Sequence, residues 1–432
     1  MSEGNDGRKY SLETFLIHGN PIDAAWEYSH HVIPPLTAST TFRLDSTGRG
    51  AEGFRNFAAV PGSPESERPI YIYDRLGEPT VGLLESSFMQ LEGGGSATAF
   101  ASGMAAISGV LLALCRQGDE IVAHRTIYGC TYSLMINWLP RLGVNVKFTD
   151  CRQPAQVETL ITPRTRVLYL ETPANPTLEV VDLAEMAAIV ARANAGRSEE
   201  DRVRLVVDNT FATPYCQRPL AHGADIVVHS LTKNVMGFGT DMGGMVVGPK
   251  ELHAAIRLVR KDFGGVVAPR AAWNILVYGL SSLAVRMDRQ MDTARKVAAW
   301  LENNPHVACV YYPGLKSHPQ HELARRQMVD FKGRFAPGLM IYFELGGPAQ
   351  GLAERSAKFM DHLANKAYTV TLAVSLGQAK TLVEAPALMT HSVYGDKAST
   401  AGLSISSMRL AIGLEDADDI LSDLDAAMKA IA

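Results

Sequence analysis

Short apolar runs recur through the middle of this chain, and helical or loop patterns separate most of them. "ATAFAS" (97–102), "DEIVAH" (119–124), "NVKFTD" (145–150), "RVLYLET" (166–172), "RLVVDN" (204–209), "DIVVHS" (225–230) and "GGMVVGP" (243–249) each read as a strand with little polar alternation. Runs apolar on both faces suit a mostly parallel sheet covered by helices on each side, an α/β architecture. "TVGLLESSFMQLEGG" (80–94) puts Leu83, Leu84, Phe88 and Leu91 on one helical face, and its glycines end it. "GMAAISGVLLALC" (103–115) reads as a buried helix and "CTYSLMINWLPRL" (130–142) as another. A long helical stretch (270–305) leads to a smaller α+β part, where "LMIYFEL" and "MRLAIGL" read as strands and 354–367 and 416–432 as helices. By contrast, 1–70 is irregular, and the Gly-, Pro- and charge-rich segment 46–69 reads as a long loop. The expected organisation is an N-terminal arm and loop (1–70), a large sheet domain (71–285) and a smaller C-terminal domain (286–432).

Composition narrows the function classes. At 432 residues, 47% hydrophobic and 20% charged, the chain can bury a large core. A formal net charge of −4 with no basic stripe points away from nucleic acid. No apolar stretch reaches membrane-spanning length, and "MSEGNDGRKYSLETF" lacks a signal-peptide core, so a cytoplasmic protein is expected. The five cysteines are scattered and lack CxxC pairing, which argues against disulfides and against a zinc or other structural metal site.

Three features converge around "HSLTKNVMGFGTDMGG" (229–244). "RLVVDNT" is an apolar strand ending in Asp208, and the C-terminal ends of parallel strands border the crevice where such sheets bind ligands. "DIVVHSLTK" ends in Ser230, Thr232 and Lys233, two hydroxyls that can hold a phosphate beside an amine. "ASGMAA" sets Ser102 and Gly103 between a strand and a helix start, where free N–H groups and the helix dipole favour an anion. Singly, each also fits a turn or a helix cap. Together they suggest pyridoxal phosphate, which needs a lysine to carry it, a carboxylate for its ring nitrogen and a phosphate cup. Tyr128, after a strand, is a candidate to stack on the ring.

Eight motifs in order strengthen this: "YDRLGEPT", "ASGMAA", "YGCTY", "ETPANPT", "VVDNT", "HSLTK", "SLGQAKTLVEAPALMTH" and "MRLAIGLEDADD". The chain resembles the Cys/Met-metabolism family of pyridoxal-phosphate enzymes of the aspartate aminotransferase-like fold (fold type I). The resemblance implies that Lys233 carries the cofactor, that Asp208 partners its ring nitrogen and that Tyr128 stacks on it. It implies a phosphate cup of Gly103, Met104, Ser230 and Thr232 beside Ser102. It further implies that Tyr73 and Arg75 reach the phosphate of a neighbouring subunit in a catalytic dimer, usually paired into a homotetramer. Ser375 and Arg409 match the substrate-carboxylate site, and Asn175 lies near it.

Within the family, three details resemble the methionine γ-lyases: Cys130 after the Tyr-Gly pair, the Lys261–Asp262 pair, and Val374 before Ser375. The expected substrate is a small sulfur amino acid. The expected reaction is α,γ-elimination of methionine, with Lys233 as base and Tyr128 as acid, its phenol brought toward working pH by a cation such as Arg75. Cys130 would tune specificity. A γ-replacement reaction, as in O-acetylhomoserine sulfhydrylase or cystathionine γ-synthase, is the alternative. Asn234, Phe238 and Thr240 depart from the family's habit of Tyr followed by Gly-His-Gly-Asp.

Overall fold

The seven apolar runs form one sheet in the computed structural model, which describes residues 2–3, 9–18, 31–348, 350–391, 394 and 404–431. Its strands are β1 (Ser96–Phe100), β2 (Glu120–His124), β3 (Asn145–Thr149), β4 (Thr165–Glu171), β5 (Arg204–Asp208), β6 (Ile226–Ser230) and β7 (Gly244–Gly248). They lie in the order β1-β7-β6-β5-β4-β2-β3. β7 runs antiparallel to both its neighbours, and the other pairings are parallel. Strands β1, β2, β4 and β7 are buried along their whole length, which is why their sequences do not alternate.

The helices that matter here are α1 (Leu12–His18), α2 (Thr47–Asn56), α3 (Pro79–Glu92), α4 (Gly103–Leu114), α5 (His253–Phe263), α6 (Ser281–Glu302), α7 (Leu352–Lys366) and α8 (Ala417–Lys429). Glu78 caps α3 by accepting from the N–H groups of Thr80 and Val81, Pro79 opens it, and Gly93 closes it at φ 74°. One apolar cluster joins α3, α6 and the second sheet; a second packs α4 against β2, β4 and β6. The second sheet contains β8 (Val307–Tyr311), β9 (Met340–Leu345), β10 (Val370–Leu372), β11 (Thr381–Glu384) and β12 (Ser407–Ala411) in the order β8-β9-β12-β11-β10. Among the described residues no helix is long and apolar enough to cross a membrane.

Two expectations need correction. Segment 46–69 is not one long loop: it contains α2 and a helical turn at Pro64–Glu67. The side chain of Ser46 caps α2, but the residues α2 buries are Gly50 and Gly53 rather than large apolar ones, so no hydrophobic stripe betrays it. A Cβ at Gly53 would lie 2.7 Å from Ile72 Cδ1, so the helix sits directly on the strand-like stretch that follows. The single helix expected over 130–142 is instead three consecutive turns of different pitch, the last opening on Leu139 and Pro140.

Candidate active site

The C-terminal ends of β4, β5 and β6 and the N-terminus of α4 converge on one cavity of about 260 Å³. Gly244 is the register partner of both Ser230 and Phe100, so β7 draws the end of β6 against the start of α4. The approach leaves no room: a Cβ on Gly103 would lie 2.7 Å from Ser230 Cβ, and one on Gly244 would lie 2.1 Å from the Ser102 carbonyl oxygen. Ser102 caps α4 by accepting from Ala105 N–H at 3.1 Å. Ser102, Gly103, Met104, Ser230 and Thr232 all line the cavity there. A helix N-terminus flanked by two hydroxyls is suited to a phosphate.

Asp208 ends β5, opposite Glu171 of β4 in register, and both line the cavity. Thr210 N–H donates to Asp208 Oδ1 at 2.9 Å and Tyr169 Oη to Oδ2 at 3.5 Å. Asp208 forms no ion pair with a lysine or arginine among the described residues, and burial holds its carboxyl above the usual range, with Thr210 and His229 opposing. A carboxylate buried without a cation suits a ligand that brings one, such as a protonated ring nitrogen. The pyridoxal phosphate implied by the motifs therefore fits at both ends, phosphate on α4 and ring nitrogen on Asp208.

Lys233 stands at the turn after β6, and its Nζ donates to Ser375 Oγ at 2.8 Å. Burial lowers the pKa of its amine, and the nearby Arg409 charge lowers it further, while Glu384 opposes. An amine that sheds its proton more readily is a better nucleophile and base. The Lys233 loop is held by Asn234, whose Nδ2 donates to the Phe211 carbonyl at 2.8 Å, and by Arg286, whose Nη1 donates to the Asn234 carbonyl at 2.8 Å. Asn234 also abuts Gly377, where a Cβ would fall 1.9 Å from Asn234 Oδ1. The departure at 234 thus has a packing role beneath the site.

Arg409, on β12, reaches the cavity from the second sheet. Its Nη1 donates to Asn175 Oδ1 at 2.7 Å and its Nη2 to the Ser375 carbonyl at 2.9 Å, and it pairs with Glu384 at 3.0 Å. Its Nε is buried without a partner among the described residues. Ser375 holds both Lys233 and Arg409 while adopting φ 90°, a conformation uncommon outside glycine. Sequence reasoning did not single out Glu384, Glu171 or Met242, all in or beside this cavity. Their one signal was membership of runs quoted for other residues.

Tyr128 lines the cavity, and Glu171 Oε1 accepts from its backbone N–H at 2.8 Å. Burial raises the phenol pKa, the Cys130 thiol beside it adds to this, and Arg409 opposes. The expectation that Arg75 would lower it fails within one chain, because Arg75 turns away to the Lys261 carbonyl and the Tyr73 ring. Cys130 is exposed and does not itself line the cavity, although its thiol lies beside the Tyr128 phenol. Tyr73, Arg75, Lys261 and Asp262 do not line the cavity. They gather on a separate face, where Lys261 pairs with Asp262 at 3.3 Å and sits over the Phe57 ring at 4.9 Å. A larger cavity of about 350 Å³ between α2 and α3 contains none of the candidate residues.

Residues 13–429 match the family model described as Cys/Met metabolism PLP-dependent enzyme. The chain is 42% identical over 98% of its length to an L-methionine gamma-lyase of Fusobacterium nucleatum subsp. nucleatum, covering 99% of that protein. It is 40% identical over 84% of its length to a cystathionine gamma-lyase of Bacillus subtilis, covering 89% of it. Among solved structures, cystathionine gamma-lyase from Lactobacillus plantarum complexed with L-serine aligns with a TM-score of 0.84 at 33% identity, over 98% of this chain and 99% of that one.

Proposed function

The chain belongs to the Cys/Met metabolism PLP-dependent enzymes, and from that membership we propose that it cleaves L-methionine, with one water, to methanethiol, 2-oxobutanoate and ammonia. One observation carries the choice of substrate. Val374 and Met242 line the cavity beside Ser375 with exposed apolar side chains, a wall that suits a methyl thioether and offers no partner to the charged far end of cystathionine. The likeness to methionine gamma-lyases supports the same choice.

Bound pyridoxal phosphate supplies an electron sink for negative charge at the substrate's Cα. Ser230, Thr232 and the first N–H groups of α4 would hold its phosphate, and Asp208 would keep a proton on its ring nitrogen. Arg409, steadied by Glu384 and Asn175, orients the substrate carboxylate. Lys233, the amine placed to carry the cofactor, would remove the Cα proton of bound substrate and then move a proton at Cβ. Tyr128, kept protonated by burial, gives its proton to the departing sulfur. Cys130, beside the Tyr128 phenol, would tune the choice of substrate.

To test this, methionine alone and O-acetylhomoserine with sulfide are supplied in separate assays. Methionine should yield 2-oxobutanoate and methanethiol in equal amounts. No keto acid from methionine, with rapid homocysteine formation from the second pair, would overturn the proposal in favour of γ-replacement. A Cys130→Gly variant should lose about 10-fold in methionine kcat/KM with its cofactor spectrum intact, since a hydrophobic contact of one small group has about that value. Full retention of activity would remove Cys130 from substrate choice.

A pH prediction follows from the two carboxyls at the cavity floor. Burial raises both Asp208 and Glu171 above their ordinary values in the folded protein. Their contribution to the stability of the cofactor-free protein is full below those ordinary values and is lost as pH rises through the folded ones. A cationic ring nitrogen opposite Asp208 offsets that loss. The rise in Tm on cofactor loading should therefore grow as pH rises above the ordinary carboxylate range, and Asp208→Asn should flatten the trend. A Tm difference independent of pH in both proteins would contradict it.

The proposal extends to the assembly. Tyr73, Arg75, Lys261 and Asp262, gathered away from their own cavity, are read as completing a neighbouring copy's site in a homotetramer built from catalytic dimers. The division at residues 70 and 285 stands as part of the same proposal, with the second boundary inside α6, the helix that would join the units. Five free cysteines favour a reducing, cytoplasmic setting.

A further inference from the structure

Behind the strand ends that carry Glu171, Asp208 and Ser230, on the side away from the cavity, lies a buried polar network that the chemistry above does not use. His229 Nε2 donates to Glu92 Oε1 at 2.6 Å, with both side chains fully enclosed. Asn209 Nδ2 donates to the same Glu92 oxygen at 3.1 Å and to the Gln217 carbonyl at 2.8 Å. Gln217 Nε2 donates back to Asn209 Oδ1 at 3.0 Å and to the Thr172 carbonyl at 2.7 Å. Gln327 Nε2 donates to Gln217 Oε1 at 2.9 Å, which carries the chain of bonds to the C-terminal side of the molecule.

The placement is systematic. Thr172 follows Glu171, Asn209 follows Asp208, and His229 precedes Ser230, so the network holds the immediate neighbour of each of these cavity residues. Successive side chains of a strand point to opposite faces, so a bond made on the hidden face fixes where the next side chain meets the cavity. A buried His–Glu pair is also a poor source of stability, because an apolar pair of similar size is often as good or better. Its presence in an otherwise apolar core calls for another role. The His229 ring is further fixed edge-on against Phe88 of α3, at 5.5 Å between centroids.

We propose that Glu92, His229, Asn209 and Gln217 are positioning residues that lock the ends of β4, β5 and β6 together and so set where Asp208 and Ser230 meet the cofactor. None of them touches the cavity. The inference rests on the cofactor reading of that cavity, and Lys233→Ala serves to separate the two.

The test compares Glu92→Gln, His229→Gln and His229→Leu, each prepared free of cofactor and titrated with pyridoxal phosphate. The readouts are the dissociation constant, the pH midpoint of the visible absorption and the Tm of the cofactor-free protein. Gln at 229 keeps a donor near the Nε2 position, so His229→Gln should bind the cofactor nearly as the parent does. His229→Leu, which loses the hydrogen bond to Glu92, and Glu92→Gln, which keeps an acceptor but loses its charge, should bind about 10-fold or more weakly and should shift the absorption midpoint. If His229→Leu does not fold, Glu92→Gln, which keeps shape and volume, carries the test. A lower Tm in Glu92→Gln with dissociation constant and midpoint unchanged would overturn the proposal and leave a purely structural network. Normal cofactor titration by Lys233→Ala, spectrum included, would instead count against the cofactor reading itself.

Discussion

Lys233→Ala is expected to reduce methionine turnover by about 1000-fold or more, the scale of removing a positioned base, and to abolish the visible band of the cofactor-loaded protein near roughly 420 nm. The loss should be chemical and not structural. Among the described residues the side chain of Lys233 makes one hydrogen bond, to Ser375 Oγ, while the loop around it is held independently by Asn234 and Arg286. Far-ultraviolet circular dichroism and Tm of the cofactor-free variant should therefore match the parent closely. Added primary amine should restore part of the activity, because the cavity around the missing amine stays in place. A variant that keeps its band and its turnover would require another lysine to carry the cofactor.

Arg409 gives the second large effect, and there the two obvious substitutions should diverge. Arg409 and Glu384 are paired at 3.0 Å and both are almost completely enclosed. Arg409→Ala leaves a buried carboxylate without its partner, a loss of about 3–5 kcal/mol that should appear as a large fall in Tm. Arg409→Lys keeps the charge but loses the planar fork that reaches Asn175 and Ser375 together and that is proposed to orient the substrate carboxylate. It should fold with a modest Tm loss and raise KM for methionine by about 10- to 100-fold, the equivalent of one charged hydrogen bond. The double variant Arg409→Ala with Glu384→Ala should recover stability relative to Arg409→Ala without recovering KM. Urea or thermal unfolding and steady-state kinetics separate the two effects. Equal KM values for parent and Arg409→Lys would place the carboxylate elsewhere.

How much of this was legible in the sequence depends on what kind of force places each residue. The strands of the main sheet were readable because full burial writes itself as an unbroken apolar run, and β4 is buried over its whole length. Asp208, Ser230 and Lys233 were readable because each ends or follows such a run, and Ser102 and Gly103 because a helix begins there. Helix α2 was not readable, since it packs through Gly50 and Gly53 and shows no apolar stripe. Glu171 and Glu384 were hidden for a different reason. A carboxylate looks like a surface residue until its partner is known, and Tyr128 and Arg409 come from distant parts of the chain. The network of Glu92, His229, Asn209 and Gln217 joins residues up to 137 positions apart, a pattern no local period carries. The separate face of Tyr73, Arg75, Lys261 and Asp262 shows the opposite case, in which motifs named residues that their own cavity does not use.

The cavity at the strand ends is proposed as the cofactor site, with Lys233 carrying the cofactor. The direct measurement is borohydride reduction of the cofactor-loaded protein followed by proteolysis and peptide mass mapping. A pyridoxyl group found on the peptide containing Lys233, and lost when methionine is supplied before reduction, is the predicted result. A group found on another lysine, such as Lys261, or no attached group at all, would contradict it.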